Sequence, residues 1–148
     1  MEWFKTISDS KPTYNKLINF LNQYGLSGLE NALQHYEDIQ KTYLCKTKTS
    51  SSKIKINDIY YLKIIGHEIS VYTTNGCYKK YGTLNNELKA LAPYGFIKCN
   101  QSYVVSLNKI RTVFHDQILL INNDKIPMSK HFAPKVMLAF HSYSQKQK

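Results

Sequence analysis

A chain of 148 residues that is 43% hydrophobic is long enough for one globular domain with an extension, and it is too apolar to be disordered. No apolar run approaches the roughly 20 residues that span a bilayer, and the N-terminus lacks a secretory-signal pattern, so we expect a cytoplasmic protein. The formal net charge is +10. Residues 1–50 contain 6 basic and 5 acidic residues, whereas residues 51–148 contain 14 basic and 5 acidic residues. This uneven basic excess favours a polyanionic partner, with a simple contribution to solubility as the alternative.

Residues 1–40 are predicted to form an N-terminal helical extension with a break at Gly25, because glycine commonly ends a helix. Each helical segment has an apolar stripe and a polar face. Such a stripe is expected to pack against the rest of the chain or a partner, so we expect this extension to serve dimerisation or protein docking. The stripe residues are Tyr14, Leu17, Ile18, Leu21 and Tyr24 before the break, and Leu29, Leu33 and Tyr36 after it.

Short strands are predicted to dominate from about Thr42 onward, where the sequence becomes rich in β-branched and alternating residues. Asn75-Gly76 lies between two such runs and predicts a β-hairpin. The segment "TLNNELKALAPYG" predicts a short helix that Thr83 caps and that ends near Gly95. The predicted buried face of this helix consists of Leu84, Leu88 and Leu91.

The strand pattern resumes after Gly95, and a terminal helix is predicted within "SKHFAPKVMLAFHSY", with Pro134 in its first turn, where a missing N–H costs little. Phe132, Val136 and Phe140 share one face of this helix. Residues 41–148 therefore form the predicted strand-rich domain. Its predicted core rows are Ile59, Tyr61, Val71, Phe96, Val104, Val105, Ile110 and Leu120.

Catalytic and cofactor motifs do not occur in this sequence. It contains no glycine-rich phosphate loop and no HExxH, and its five histidines do not group with cysteines at metal-ligand spacing. We therefore expect no enzymatic activity, no cofactor and no metal. The three cysteines, Cys45, Cys77 and Cys99, are interpreted as small, semi-buried thiols, with a redox switch at Cys99 as an alternative.

A run of small and polar residues interrupts the apolar pattern of "GFIKCNQSYVVSLNKI". It consists of Lys98, Cys99, Asn100, Gln101 and Ser102, and it predicts a loop between two strands. Each amide side chain can offer a donor and an acceptor to an adenine edge in the major groove. Lys98 and Ser102 suit phosphate contacts, which position a protein without specifying a base. A plain polar turn between core strands is the alternative.

Three blocks in order, "IYYLKIIGHEISVYTTNG", "GFIKCNQSYVVSLNKI" and "KIPMSKHF", resemble the LytTR domain, the DNA-binding output module of many bacterial response regulators. The resemblance covers about residues 41–140. It implies a mostly β fold, an elongated domain of several antiparallel sheets with small helices, that contacts DNA through loops rather than a recognition helix. The 40 residues ahead of it are too few for a receiver domain, so we expect none in this chain.

The resemblance also implies DNA-binding residues. His67 corresponds to a loop position that the family directs toward a major groove. Asn100 and Gln101 fall where the family commonly has His followed by Arg, Lys or Asn, and Lys130 falls where Arg usually follows Ser. His131, the next residue, is added to the set, with a place on the surface at the helix end as the alternative. With Lys98 and Ser102, these residues form the predicted DNA-contact set.

Departures from the family pattern affect the expected target. Asn100 replaces the His that is usual in the family, and Ser106 replaces a common Asn. Lys130 lacks the planar guanidinium with which an arginine makes two parallel hydrogen bonds. Glu68 adds a negative charge beside the first contact loop. Lys79 and Lys80 are interpreted as a solvated strand face from which one lysine could touch phosphate.

The sequence thus predicts a homodimeric transcription regulator that binds paired sites in duplex DNA, expected to be direct repeats in a promoter. One alternative is a partner that binds DNA weakly or not at all, pairs with a full-length LytTR regulator and antagonises it. Another is single-stranded RNA binding, which the 12 tyrosines favour.

Overall fold

The structure, a computed structural model, describes residues 6 and 9–146 of the chain. It divides into two compact units, Met1–Gln40 and Lys41–Lys148. The helical prediction for residues 1–5, 7 and 8 falls outside the described residues. No helix within the described part of the chain has the length and apolar character needed to cross a bilayer.

The described part of the first unit contains helix α1, Lys11–Ile39. Gly25 has φ 71° and ψ −172°, which is not helical, so the helix is broken where the sequence predicted. No described residue of α1 is buried. Several apolar side chains of the predicted stripe are therefore exposed within it: Tyr14, Tyr24, Leu33 and Tyr36, together with Leu26.

The second unit contains three antiparallel sheets and two helices, which confirms the predicted mostly β fold. A two-stranded sheet pairs β1 with β2, a five-stranded sheet has the order β5-β4-β3-β7-β6, and a three-stranded sheet has the order β10-β9-β8. The strands are β1 Thr42–Lys46, β2 Ser51–Lys55, β3 Ile59–Ile65, β4 Glu68–Thr73, β5 Gly76–Tyr81, β6 Phe96–Asn100, β7 Tyr103–Ser106, β8 Ile110–Val113, β9 Gln117–Leu120 and β10 Lys125–Pro127, and the helices are α2 Leu84–Leu91 and α3 Ala133–Lys146.

Local signals in the sequence account for the turns of the central sheet. The predicted hairpin joins β4 to β5, with Thr73 opposite Gly76 and the tip one residue earlier than the Asn-Gly pair implies. The Thr83 side chain caps α2 by accepting a hydrogen bond from the Asn86 N–H at 3.3 Å. Gly95 has φ 86°, a left-handed conformation that favours glycine, and it leads into β6.

Two hydrophobic cores hold the second unit together. The first lies among the two-stranded sheet, the central sheet and α2, and the second lies among β3, β6–β10 and α3. Val136 of α3 is fully buried in the second core, with Phe132 and Phe140 partly buried beside it, and Pro134 lies in the first turn of α3 as predicted. The predicted core rows are all buried: Ile59, Tyr61, Val71, Phe96, Val104, Val105, Ile110 and Leu120.

Candidate nucleic-acid interface

The turns that follow β3 and β6 meet at one end of the central sheet. β3 and β7 are antiparallel neighbours, and the Ile64 N–H donates to the Ser102 carbonyl at 2.9 Å. The end of β3 therefore lies beside the start of β7. This pairing brings the β3–β4 turn, Gly66–His67, next to the β6–β7 turn, Gln101–Ser102.

The connection from β10 to α3 joins the same end of the sheet. The Ser129 N–H donates to the Cys99 carbonyl at 3.2 Å, so the segment Ser129–His131 lies beside the end of β6. We call Gly66–His67, Gln101–Ser102 and Ser129–His131 together the turn edge. It brings the three predicted contact blocks, which are far apart in sequence, onto one end of the fold.

The side chains of the turn edge differ in exposure. His67, Gln101, Lys130 and His131 are exposed, whereas Ser102 is half-buried. The His131 ring lies edge-on to the Phe132 ring, with centroids 5.1 Å apart, so the second core partly supports its position. These four exposed polar or basic side chains lie at one end of the fold, where they can form hydrogen bonds with the polar groups of a partner.

Asn100 is already hydrogen-bonded within the protein. Its amide nitrogen donates to the Pro127 carbonyl at 2.6 Å, and its amide oxygen accepts from the Ser102 N–H at 2.7 Å. These bonds fix the β6–β7 turn and tie it to the end of β10. Contact between Asn100 and DNA stays a prediction, while in this structure its amide holds the turn edge in place.

The predicted loop over the polar run is shorter than expected. Strand β6 continues through Asn100, with a register irregularity between Lys98 and Asn100, and only Gln101 and Ser102 form the turn. Lys98 is therefore a half-buried strand residue. Its Nζ lies 3.5 Å from the Asn85 amide oxygen and 5.9 Å from the centre of the Phe132 ring. A phosphate contact by Lys98 stays a prediction.

Cys99 is fully buried in the second core. Burial raises the pKa of the Cys99 thiol to about 12, so the thiol is neutral near pH 7, which disfavours a redox role. The interpretation of the cysteines holds for Cys99 and Cys45, which are buried, whereas Cys77 is exposed. Among the described residues, no group of three or more His, Cys, Asp or Glu side chains could hold a metal ion.

The charges beside the β3–β4 turn are paired. The Lys79 Nζ lies 2.9 Å from the Glu68 carboxylate, so the negative charge next to His67 has a counterion. The interpretation of Lys80 as part of a solvated strand face is wrong, because its side chain is largely shielded from water. Its Nζ lies 3.1 Å from the Glu87 carboxylate, and the side chains of Lys80 and Glu87 are only 15% and 11% exposed. Of the two neighbouring lysines, Lys79 and Lys80, only Lys79 faces solvent.

Sequence reasoning missed the β1–β2 hairpin as part of the surface near the turn edge. The tip residues Thr47, Lys48 and Thr49 line an open cleft together with Glu68 and Tyr81. The available signal was the composition of residues 41–55, which contain five lysines and no acidic residue.

Comparisons with known proteins agree with this architecture. The family model described as the LytTr DNA-binding domain matches residues 49–141. The Sensory transduction protein LytT of Enterococcus faecalis is 30% identical over 80 residues, which is 51% of this chain and 33% of that protein. The matched segment thus spans about a third of that relative's length. A solved LytTr DNA-binding domain from Bacillus cereus has the same fold, with a TM-score of 0.58 and 20% identity, over 66% of this chain and 94% of the solved one. The chain belongs to the LytTR family of DNA-binding domains.

Proposed function

We propose that this protein is a bacterial transcription regulator that binds duplex DNA sequence-specifically and reads base edges in the major groove with side chains of the turn edge. The observation that carries the proposal is the gathering of three separate chain segments at one end of the central sheet by the hydrogen bonds Ile64 N–H to Ser102 O and Ser129 N–H to Cys99 O. Such a regulator would act in the cytoplasm.

Gln101 is the residue we assign to base recognition. Its side chain is exposed at the tip of the β6–β7 turn, and an amide can bond both N6 and N7 of adenine. His67 and Lys130 flank it on neighbouring segments and would contact bases or phosphates. Lys130 lacks the planar fork of arginine, so the preferred target need not match that of family members with arginine there. Asn100 would act indirectly, by fixing the turn that presents Gln101.

The remaining predicted contacts suit the sugar-phosphate backbone. Ser102 and His131 lie on the turn edge, and Lys98 lies on the adjoining part of β6. The basic excess in residues 51–148 favours attraction to a polyanion along the whole unit. Contacts of this kind hold the protein in register on the duplex, while the exposed amide and imidazole groups distinguish sequences.

Homodimer formation through the N-terminal unit is part of the same proposal. Helix α1 exposes Tyr24, Leu26 and Leu33 to the extent of 54%, 73% and 56%. Tyr24 lies before the break at Gly25 and the other two lie after it, and apolar side chains that are exposed in the described part of the chain gain stability when a partner buries them. A dimer would carry two turn edges and would bind two copies of one motif. Direct repeats in a promoter require the two DNA-binding units to face the same way along the duplex, whereas a two-fold arrangement of these units would select inverted repeats.

Selection of bound fragments from random duplex DNA tests the proposal. The full chain is expected to enrich fragments with two copies of one motif in the same orientation, spaced by about one or more helical turns, roughly 10 base pairs each. A chain beginning at residue 41 is expected to enrich single copies. Single copies with the full chain would contradict dimerisation.

Two other outcomes of the selection would contradict duplex DNA binding. Enrichment of no duplex would overturn the proposal and favour the reading in which the protein antagonises a larger LytTR regulator. Tighter binding to a single-stranded RNA competitor than to the best duplex would instead favour RNA recognition.

A further inference from the structure

We infer that the β1–β2 hairpin is a second DNA-contacting element, whose lysines Lys46 and Lys48 bind phosphates beside the turn edge. This inference rests on the proposed duplex DNA binding and extends the interface to two lysines that lie outside the family match. That match begins at residue 49, so β1 and both of these lysines precede it.

The hairpin carries positive charge without a compensating acid. Residues 41–55 contain five lysines and neither aspartate nor glutamate. All five lysines are exposed, and none of them takes part in an ion pair among the described residues. Ammonium groups in this state bind phosphate without first breaking an internal pair. The lysines are Lys41, Lys46, Lys48, Lys53 and Lys55.

The tip of the hairpin lies next to the β3–β4 turn. Thr47, Lys48 and Thr49 form one wall of an open cleft of about 660 Å³, and Glu68, Lys79 and Tyr81 form the other. Glu68 directly follows His67 in the chain, and the N–H of Gly82, the residue after Tyr81, donates to the His67 carbonyl at 3.0 Å. A duplex that contacts His67 therefore passes close to the hairpin tip.

The electrostatics of the cleft suit an anion. Its only carboxylate, that of Glu68, already pairs with Lys79 at 2.9 Å. The Lys48 ammonium is therefore the unbalanced charge among the residues that line the cleft. Thr49 also lines the cleft, and threonine hydroxyls commonly donate to phosphate oxygens, whereas the Thr47 hydroxyl lies 2.8 Å from the Ser50 hydroxyl and serves the turn.

The hairpin is held in a fixed position on the rest of the unit. The Cys45 thiol lies 3.2 Å from the Lys79 carbonyl, which joins β1 to β5. Tyr43 donates a hydrogen bond to Glu87 of α2. At the tip, the Thr47 N–H donates to the Ser50 carbonyl at 2.8 Å, and the Thr47 hydroxyl oxygen accepts from the Ser50 N–H at 3.0 Å. An ordered tip presents Lys48 with less loss of conformational entropy on binding.

Salt titration of the Lys46→Gln/Lys48→Gln double variant tests the inference. The full chain and the variant are titrated with the selected duplex and with a scrambled duplex at several salt concentrations. If two phosphate contacts are lost, the slope of log K against log salt should become less negative by about 2, from roughly −5 for about six contacts. Both duplexes should lose affinity by the same factor, because phosphate contacts carry no sequence information.

A charge-matched control is the Lys89→Gln/Lys125→Gln variant. Lys89 is exposed in the last turn of α2 and Lys125 is exposed at the start of β10, outside both the hairpin and the turn edge. This control removes the same charge and is expected to keep the slope of the native chain. Equal changes in both variants would indicate a general effect of net charge and would overturn the inference.

The remaining outcomes separate the hairpin from the turn edge. A double hairpin variant that keeps the native slope and affinity, while the native chain prefers its target, overturns the inference and leaves the proposed function standing. A variant that loses preference between target and scrambled duplex overturns it too, since the hairpin would then read bases. A native chain that binds no duplex overturns the proposed function, and the inference with it.

Discussion

The Lys80→Met variant is expected to lose about 3–5 kcal/mol of unfolding free energy, because the substitution leaves the buried Glu87 carboxylate without its counterion. The Lys80 Nζ lies 3.1 Å from that carboxylate, and both side chains are largely shielded from water. Lys80 also lies 4.6 Å from the centre of the Tyr43 ring. Burial, followed by the hydrogen bond to Glu87, raises the pKa of Tyr43, so its phenol remains a donor and cannot replace the lost charge. Urea unfolding followed by circular dichroism measures the loss.

The neighbouring lysine provides a matched control for this prediction. Lys79→Met removes an ion pair of similar length, but its partners Lys79 and Glu68 are 61% and 40% exposed, so we expect almost no change in the unfolding midpoint. The Lys80→Met/Glu87→Gln double variant should regain much of the lost stability, because neither charge is then buried alone. Equal unfolding midpoints for Lys80→Met and Lys79→Met would refute the assignment of a buried pair.

The Gln101→Ala variant is expected to weaken binding to the selected duplex by about 1–3 kcal/mol and to relax the preference at one base pair. Folding stability should not change, because Gln101 is exposed at the tip of a turn. Binding titrations with the target and with single-base variants of it measure both effects. Gln40→Ala is the control, since Gln40 is an exposed glutamine that follows the end of α1. An unchanged ratio between target and scrambled duplex would remove Gln101 from the readout.

Asn100 should respond differently from Gln101, because its amide is used inside the protein. Asn100→Ala removes the bonds to the Pro127 carbonyl and from the Ser102 N–H, each with a net contribution of about 1 kcal/mol. We expect lower folding stability together with weaker DNA binding. Asn100→Asp keeps the acceptor for Ser102 but places a carboxylate oxygen beside the Pro127 carbonyl, so it should not restore the folding stability or the DNA binding of the native chain. A change of base preference in Asn100→Ala at full stability would show that Asn100 itself reads DNA.

Local sequence signals predicted much of the fold. The Asn75-Gly76 pair, the Thr83 cap and the position of Pro134 each act within a few residues, so they can be recognised without knowledge of tertiary contacts. The tip of the β4–β5 hairpin lies one residue earlier than predicted, at Thr74–Asn75, because strand β5 begins at Gly76. The apolar rows were also readable, since alternation in a strand sets which face is buried.

Long-range contacts explain what the sequence did not reveal. Lys80 is largely shielded from water because Glu87 of α2 and Tyr43 of β1 lie against its side chain. The Asn100 amide is occupied because Pro127 lies beside it, although 27 residues separate the two. The tip of the β1–β2 hairpin lies near Glu68 because the fold brings together two segments that are distant in sequence. The spacing of residues within one segment does not contain this information. The partners of these side chains therefore follow only from the tertiary structure.

The central claim, that turns at one end of the central sheet meet DNA, is tested most directly by amide chemical shifts of the full chain during titration with the selected duplex. We predict that the largest shift changes fall at Gly66–His67, Gln101–Ser102 and Ser129–His131, with further changes at the β1–β2 hairpin tip. The β4–β5 turn at Thr74–Asn75, at the opposite end of strand β4 from His67, should change little. Changes concentrated at Thr74–Asn75 and absent from the turn edge would contradict the account.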